Sequence, residues 1–229
     1  MHVPDGFLDA PTSAATGAVA VAVVGVALVK ARRELDDRTA PMAGLVAAFI
    51  FAVQMLNFPV GAGTSGHLIG GALAAVLVGP WTGVLCVSVV LLVQALLFAD
   101  GGITALGTNI VLMAITTVLV GWVVFRLLQL VLPKRLSLTP AQAGVGAFVS
   151  VPLAASVFVV LYALGGTADI PFDTLLTAMF GVHTLIGIGE GVITGLAVGA
   201  IIAVRPDLVY GARPVLVQRE LVIKKSVVG

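Results

Sequence analysis

Residues 174–204 read TLLTAMFGVHTLIGIGEGVITGLAVGAIIAV. As one helix the run would be roughly 45 Å long, more than the ~30 Å hydrocarbon core of a bilayer. It contains one formal charge, Glu190, and no Lys, Arg or Pro. A run of that length and apolarity predicts a helix in lipid. His183, Gly187, Gly191, Gly195 and Gly199 fall every fourth residue. Small residues at that spacing let a neighbouring backbone approach closely, so the glycines read as a packing face. An ionisable residue inside such a helix is expensive and is a functional candidate by default. Glu190 is therefore a candidate, with a structural carboxylate, hydrogen-bonded across the bundle or kept protonated, as the alternative. His183 lies on nearly the same face, about 10.5 Å away along a straight helix.

The rest of the chain repeats the pattern. Of its 229 residues, 59% are hydrophobic and 10% charged, with a mean hydropathy of +1.16. A soluble domain carries about 25% charged residues. So little polar surface cannot cover so apolar a core, and lipid must be the solvent. The class is an all-α polytopic membrane bundle. Apolar runs at 12–29, 41–58, 67–79, 80–99, 107–132, 139–165 and 174–204 predict seven spans. The third is short against the ~20 residues usually needed, and Gly79-Pro80 separates it from the fourth, so a re-entrant segment is the alternative. Residues 1–204 form one transmembrane domain, with 1–11 as an outer N-terminal segment. Residues 205–229 form a tail expected to lie at the cytoplasmic surface or to be partly disordered. Cys86 sits in an apolar run and reads as a buried small hydrophobe, with no disulfide framework or thiolate cluster.

Charge sets the orientation. The basic residues fall into three clusters: Lys30, Arg32, Arg33 and Arg38; Arg126, Lys134 and Arg135; Arg205, Arg213, Arg219, Lys224 and Lys225. Seven spans with the N-terminus outside put all of them in the cytoplasm, as the positive-inside rule requires. If 67–79 does not cross, two clusters land outside. The opposite face carries Asp5, Asp9, Asp100, Asp169 and Asp173 and no Lys or Arg. That field suits capture of a cation, although the same rule alone would also produce it. The net charge of +1 gives no argument for nucleic acid, and none is expected.

The opening MHVPDGFLDAP has no Lys or Arg before the first apolar run, unlike a signal peptide, so Met1 is expected to start the mature chain. The α-amine of Met1, the backbone nitrogen of His2 and His2 Nδ1 can close on one ion through a five-membered and a six-membered ring. If the amide deprotonates, three nitrogens lie in one plane, and a fourth completes a square. Such sites favour Cu(II) or Ni(II), and low-spin Co(II) can adopt them. Asp5-Gly6 is a turn signal that could fold the segment back on the bundle. The best fourth ligand is His67, in the glycine-rich stretch Gly61–His67 expected on the same outer face; a helix-capping role is its alternative.

The stretches MHVPDGFLDAPTS, Gln54–Gly71 (QMLNFPVGAGTSGHLIGG) and His183–Gly195 (HTLIGIGEGVITG) resemble the CbiM/NikM family. These are the substrate-specific components of energy-coupling-factor transporters for cobalt and nickel. Val3 stands where the family usually has Ile. The resemblance implies seven helices with the N-terminus outside, and Met1, His2 and His67 as ligands of a Co2+ or Ni2+ substrate. It implies a membrane scaffold subunit, two ATPase subunits and a small accessory membrane subunit as partners, in the plasma membrane of a prokaryote. Asn57, Thr64, Ser65, His183 and Glu190 are candidates for orienting the ligands. Small residues four apart, Ala43, Ala47, Ala48 and Ala52, are candidates for scaffold contact, as are Ala14, Ala18 and Ala22. No Gly-x-x-x-x-Gly-Lys-Ser/Thr occurs, so ATP hydrolysis is left to partners. Neither cobalt nor nickel is favoured by the sequence.

Two other classes compete. Gly63-Thr64-Ser65-Gly66 matches the Gly-x-Ser-Gly of rhomboid intramembrane proteases, with His183 as the base. The chain lacks an obvious His-x-x-x-Asn element and has no His-Glu-x-x-His. The third class is a non-catalytic membrane scaffold with incidental histidines.

Overall fold

Asp9 starts the first helix by accepting the Thr12 amide at 2.8 Å, and Pro11 occupies the first turn, where no amide donor is needed. In the computed structural model, which describes residues 1–35, 40–56, 58–60 and 64–218, this helix, α1, runs Ala10–Lys30. Next come α2 (Ala40–Gln54), α3 (Gly71–Val78), α4 (Pro80–Leu97), α5 (Leu106–Val131), α6 (Thr139–Gly165) and α7 (Phe172–Val204). A small antiparallel hairpin, β1 (Phe58–Val60) and β2 (Thr64–Gly66), joins α2 to α3, with Phe58 opposite Gly66. Among the described residues five helices, α1 and α4 to α7, are long and apolar enough to cross a membrane.

The expected third span differs most. Helix covers only Gly71–Val78, all eight residues buried, and residues 67–70 are irregular. Eight helical residues rise only ~12 Å. Gly70 (φ +82°) and Gly79 (φ +99°) bracket α3 in left-handed conformations that suit glycine. Pro80 then starts α4 afresh. Buried Glu34, at the far end of α1, caps α4: its carboxylate accepts the Trp81 amide (3.1 Å), the Thr82 amide (2.7 Å) and the Thr82 hydroxyl (3.0 Å). A Cβ on Gly79 would sit 2.6 Å from that carboxylate.

The glycine face of α7 packs on α6. A Cβ on Gly191 would lie 2.9 Å from the Gly144 carbonyl oxygen, and one on Gly187 2.9 Å from that of Phe148. Helix α5 carries a π-helical stretch, Ile110–Thr116, immediately after Asn109; such insertions re-aim the residues beside them. Cys86 is free and buried, its thiol donating to the Ala43 carbonyl at 3.4 Å.

Contacts sort the connections into two ends. At one, Asp9 donates to Gly165 (2.7 Å), Gly102 to Val3 (2.9 Å) and Thr167 to Phe7 (3.2 Å). At the other, Gln129 donates to Gly211 (2.8 Å) and Arg213 to the Glu34 carbonyl (3.4 Å). The tail is less loose than expected: Val209 and Ala212 are fully buried, and Gly211 packs on Phe125. Residues 219–229 lie outside the described part.

Candidate metal centre

The N-terminal segment is tucked into the bundle rather than lying over it. Met1 and Val3 are buried. Asn109 grips Val3 at two points, its Oδ1 accepting the Val3 amide (2.7 Å) and its Nδ2 donating to the Val3 carbonyl (3.1 Å). The expected turn forms: Phe7 donates to Pro4 at 3.4 Å, and Gly6 takes φ +76°. Asp5 accepts the Thr104 amide (2.7 Å) and hydroxyl (2.5 Å), and these bonds hold its carboxyl below the usual range. Burial pushes the Met1 amine from 8.0 down to about 5, against the opposing charge of Asp100. At neutral pH that amine is therefore uncharged, with its lone pair free to bind a metal.

His2 lies between two elements. Its Nδ1 is 3.0 Å from Asp100 Oδ1, and its Nε2 is 3.2 Å from Gln94 Oε1 at the end of α4. Gly101 (φ +91°) backs the ring: a Cβ there would approach His2 Cδ2 at 3.3 Å.

His67 stacks on His2, ring centroids 4.5 Å apart and planes inclined by 24°. The irregular stretch 67–70 that presents it would leave backbone groups unpaired in an apolar interior, and two side chains satisfy them. Glu190 accepts the amides of Ile69 (2.6 Å) and Gly70 (2.5 Å), and Gln54 donates to the Ile69 carbonyl at 2.7 Å. Glu190 thus holds the turn just after His67. His67 Nδ1 is 2.8 Å from the Leu68 carbonyl oxygen, and its buried Nε2 has no hydrogen-bond partner. A carbonyl can only accept, so Nδ1 carries the proton and Nε2 the lone pair. A buried polar atom left unpaired costs about 1–3 kcal/mol, which a metal ion at that point would recover. The donor set fits a nitrogen-loving divalent ion: a neutral amine, a backbone amide and imidazoles. Among the described residues no group of three or more His, Cys, Asp or Glu side chains is disposed to hold a metal. A centre here depends on the main-chain nitrogens.

The other sequence candidates divide. His183 is fully buried, its Nδ1 2.7 Å from the Met179 carbonyl oxygen. Asn57 lies outside the described residues, and of Thr64 and Ser65 only the backbone, in β2, is described. The set Ala43, Ala47, Ala48 and Ala52 splits. Ala48 and Ala52 are exposed, and Ala43 and Ala47 are half-buried, packed against the core. Gln94 and Asn109 were not anticipated, and Asp100 was read only as part of an acidic face. The signal for the first two is slight: Gln94 is the single amide of the run 80–99, and Asn109 is one of two, with Gln129, in the run 107–132.

The sequence profile described as "Cobalt uptake substrate-specific transmembrane region" (CbiM) matches residues 2–208. A protein of Haloquadratum walsbyi named for metal transport is 40% identical over 210 residues, 92% of this chain and 94% of that one. A protein of Archaeoglobus fulgidus named for fused nickel transport, NikMN, is 39% identical over 209 residues, 91% of this chain and 68% of that one. A crystal structure titled as a truncated transition metal transporter superposes with a TM-score of 0.81 at 34% identity, covering 89% of this chain and 99% of that one. The comparisons lend the Ser65/His183 protease reading no support. By the profile that spans it, the chain belongs to the CbiM family of cobalt uptake substrate-specific transmembrane regions.

Proposed function

We propose that this chain is the substrate-binding membrane subunit of an energy-coupling-factor-type uptake transporter for Co2+ or Ni2+. It holds the ion through the Met1 amine, the His2 backbone nitrogen and Nδ1, and His67 Nε2, in a four-nitrogen square. The observation that carries this reading is the buried, unpartnered lone pair of His67 Nε2 beside the His2 ring. Loading moves His2 Nδ1 from Asp100 onto the ion. With its amide deprotonated the loaded centre has a net charge of +1 before counter-ions, and Asp100 neutralises it in the low-dielectric interior.

Seven crossings with the N-terminus outside support uptake. The segment 67–78 begins beside His2 and ends at Gly79 against Glu34, groups that lie beyond opposite ends of α1. The irregular stretch 67–70 followed by α3 therefore counts as a crossing in this reading. The basic residues then face the cytoplasm of a prokaryotic cell and the metal centre faces outward. ATP hydrolysis belongs to two partner ATPase subunits, coupled through a membrane scaffold subunit that docks on the exposed Ala48 and Ala52; a small accessory subunit completes the assembly. Equilibrium dialysis of the detergent-purified chain against Co2+ and Ni2+ tests the reading. One ion binds per chain, and His67→Ala weakens binding at least a hundredfold; equal binding by the variant would refute it.

A further inference from the structure

The end of the bundle opposite the N-terminal segment carries a basic cleft with mixed walls. It encloses about 480 Å³: the α5–α6 connection contributes Lys134, Arg135, Leu136 and Ser137, and the tail contributes Val215 and Gln218. A smaller cleft shares Lys134 and Val215 with it and adds Arg126 and Leu130 from the end of α5. Arg126 is held in place. Its Nη1 donates to Gln129 Oε1 at 2.7 Å, and Gln129 in turn donates to the Gly211 carbonyl at 2.8 Å. Its guanidinium also lies 5.7 Å from the centre of the Trp122 ring, which meets the Tyr210 ring at 5.7 Å. Tryptophan and tyrosine favour the headgroup level of a bilayer. Leu130 and Val131 are strongly exposed, as side chains facing acyl chains would be. The cleft therefore lies where headgroups meet hydrocarbon. No carboxylate lines it, and among the described residues none is paired with Arg126, Lys134 or Arg135. Three cations gathered without a counter-charge repel one another, and a bound anion relieves that repulsion.

We propose that this cleft binds an anionic phospholipid. Arg126, Lys134 and Arg135 hold its phosphate, Ser137 and Gln218 offer hydrogen bonds to the rest of the headgroup, and its chains run along Leu130 and Val131. A free phosphate would have no use for the apolar part of the wall. An acidic protein surface would have to enter at the depth where Leu130 faces hydrocarbon. The site is remote from the metal centre and does not rest on the metal reading.

Native mass spectrometry of the detergent-purified chain tests it, with phosphatidylglycerol and phosphatidylcholine of the same acyl chains. Both carry the phosphate, but choline adds a cation that the cleft repels, so phosphatidylglycerol binds about tenfold more tightly. Lys134→Ala with Arg135→Ala weakens its binding about 25-fold, roughly fivefold for each cation removed. Arg32→Ala with Arg33→Ala removes the same charge from the exposed pair just after α1 and leaves lipid binding nearly unchanged. Excess free glycerol phosphate does not displace the lipid. Equal binding of the two lipids, an equal loss in the two double variants, or displacement by glycerol phosphate would overturn the proposal. So would wild-type lipid affinity in Lys134→Ala with Arg135→Ala together with lost co-purification of a co-expressed ATPase subunit, which would make the cleft a protein dock. The comparison of two lipids needs no variant, so it decides the matter even where a substitution harms folding.

Discussion

Asn109 and Val3 are joined like neighbouring strands: the Asn109 carboxamide accepts the Val3 amide at 2.7 Å and donates to the Val3 carbonyl at 3.1 Å. The side chain stands in for a strand edge, and Val3 is the first residue beyond the proposed chelate. Asn109→Leu keeps the volume and removes both bonds, each worth about 1 kcal/mol. The expected result is metal binding weaker by about thirtyfold, with helix content unchanged by circular dichroism. Unaltered affinity by titration calorimetry would show that Asn109 does not position the N-terminus.

Glu190 is expected to matter for His67 through the backbone. Its two oxygens accept two amide donors, and a Gln in its place would turn a donor toward one of them. Glu190→Gln is expected to lower stability by about 2 kcal/mol. It also makes the turn after His67 exchange its amides faster. Mass-spectrometric hydrogen exchange across residues 67–71 checks this, and wild-type protection would contradict it.

The Met1 amine gives a pH dependence of definite sign. The amine binds metal only when deprotonated, and burial lowers it from 8.0 to about 5. Amine protonation therefore costs no metal affinity between pH 8 and about 5 and tenfold per unit below that, on top of the tenfold per unit by which release of the His2 amide proton lowers affinity as pH falls. Between the same limits the unfolded chain binds a proton that the folded chain does not, so stability rises with pH across this window. Calorimetric metal titrations at several pH values check the first part. An amine contribution that already fades below pH 8 would contradict it.

The sequence made the long helices and the glycine face of α7 legible, because both are periodic or continuous over many residues. It also picked out His2 and His67 by type and setting. It could not reveal Gln94, Asp100 and Asn109 as partners of the N-terminal segment, since these meet it only after α4 and α5 are packed. The shortness of the third span and its break at Gly79-Pro80 are visible in the sequence; the left-handed Gly70 that starts α3 is not. The cap on α4 was not, because Glu34 comes from the end of a different helix. The inward turn of Ala43 likewise depended on Cys86 of α4, which no four-residue spacing encodes.

The central claim is that the ion is held by nitrogens counted from the chain's first atom. Inserting Leu-Pro between Met1 and His2 leaves His67, His183, Glu190 and every helix unchanged in sequence but moves the amine two residues away from the His2 imidazole. Leu after Met1 keeps the start methionine, and Pro has no amide proton to lose, so no new amine–amide–imidazole square can form. Titration calorimetry of the inserted chain with Co2+ and Ni2+ should show affinity reduced at least a hundredfold, with helix content by circular dichroism unchanged. Binding at wild-type strength would contradict the account, because a site made of side chains alone would not register the insertion.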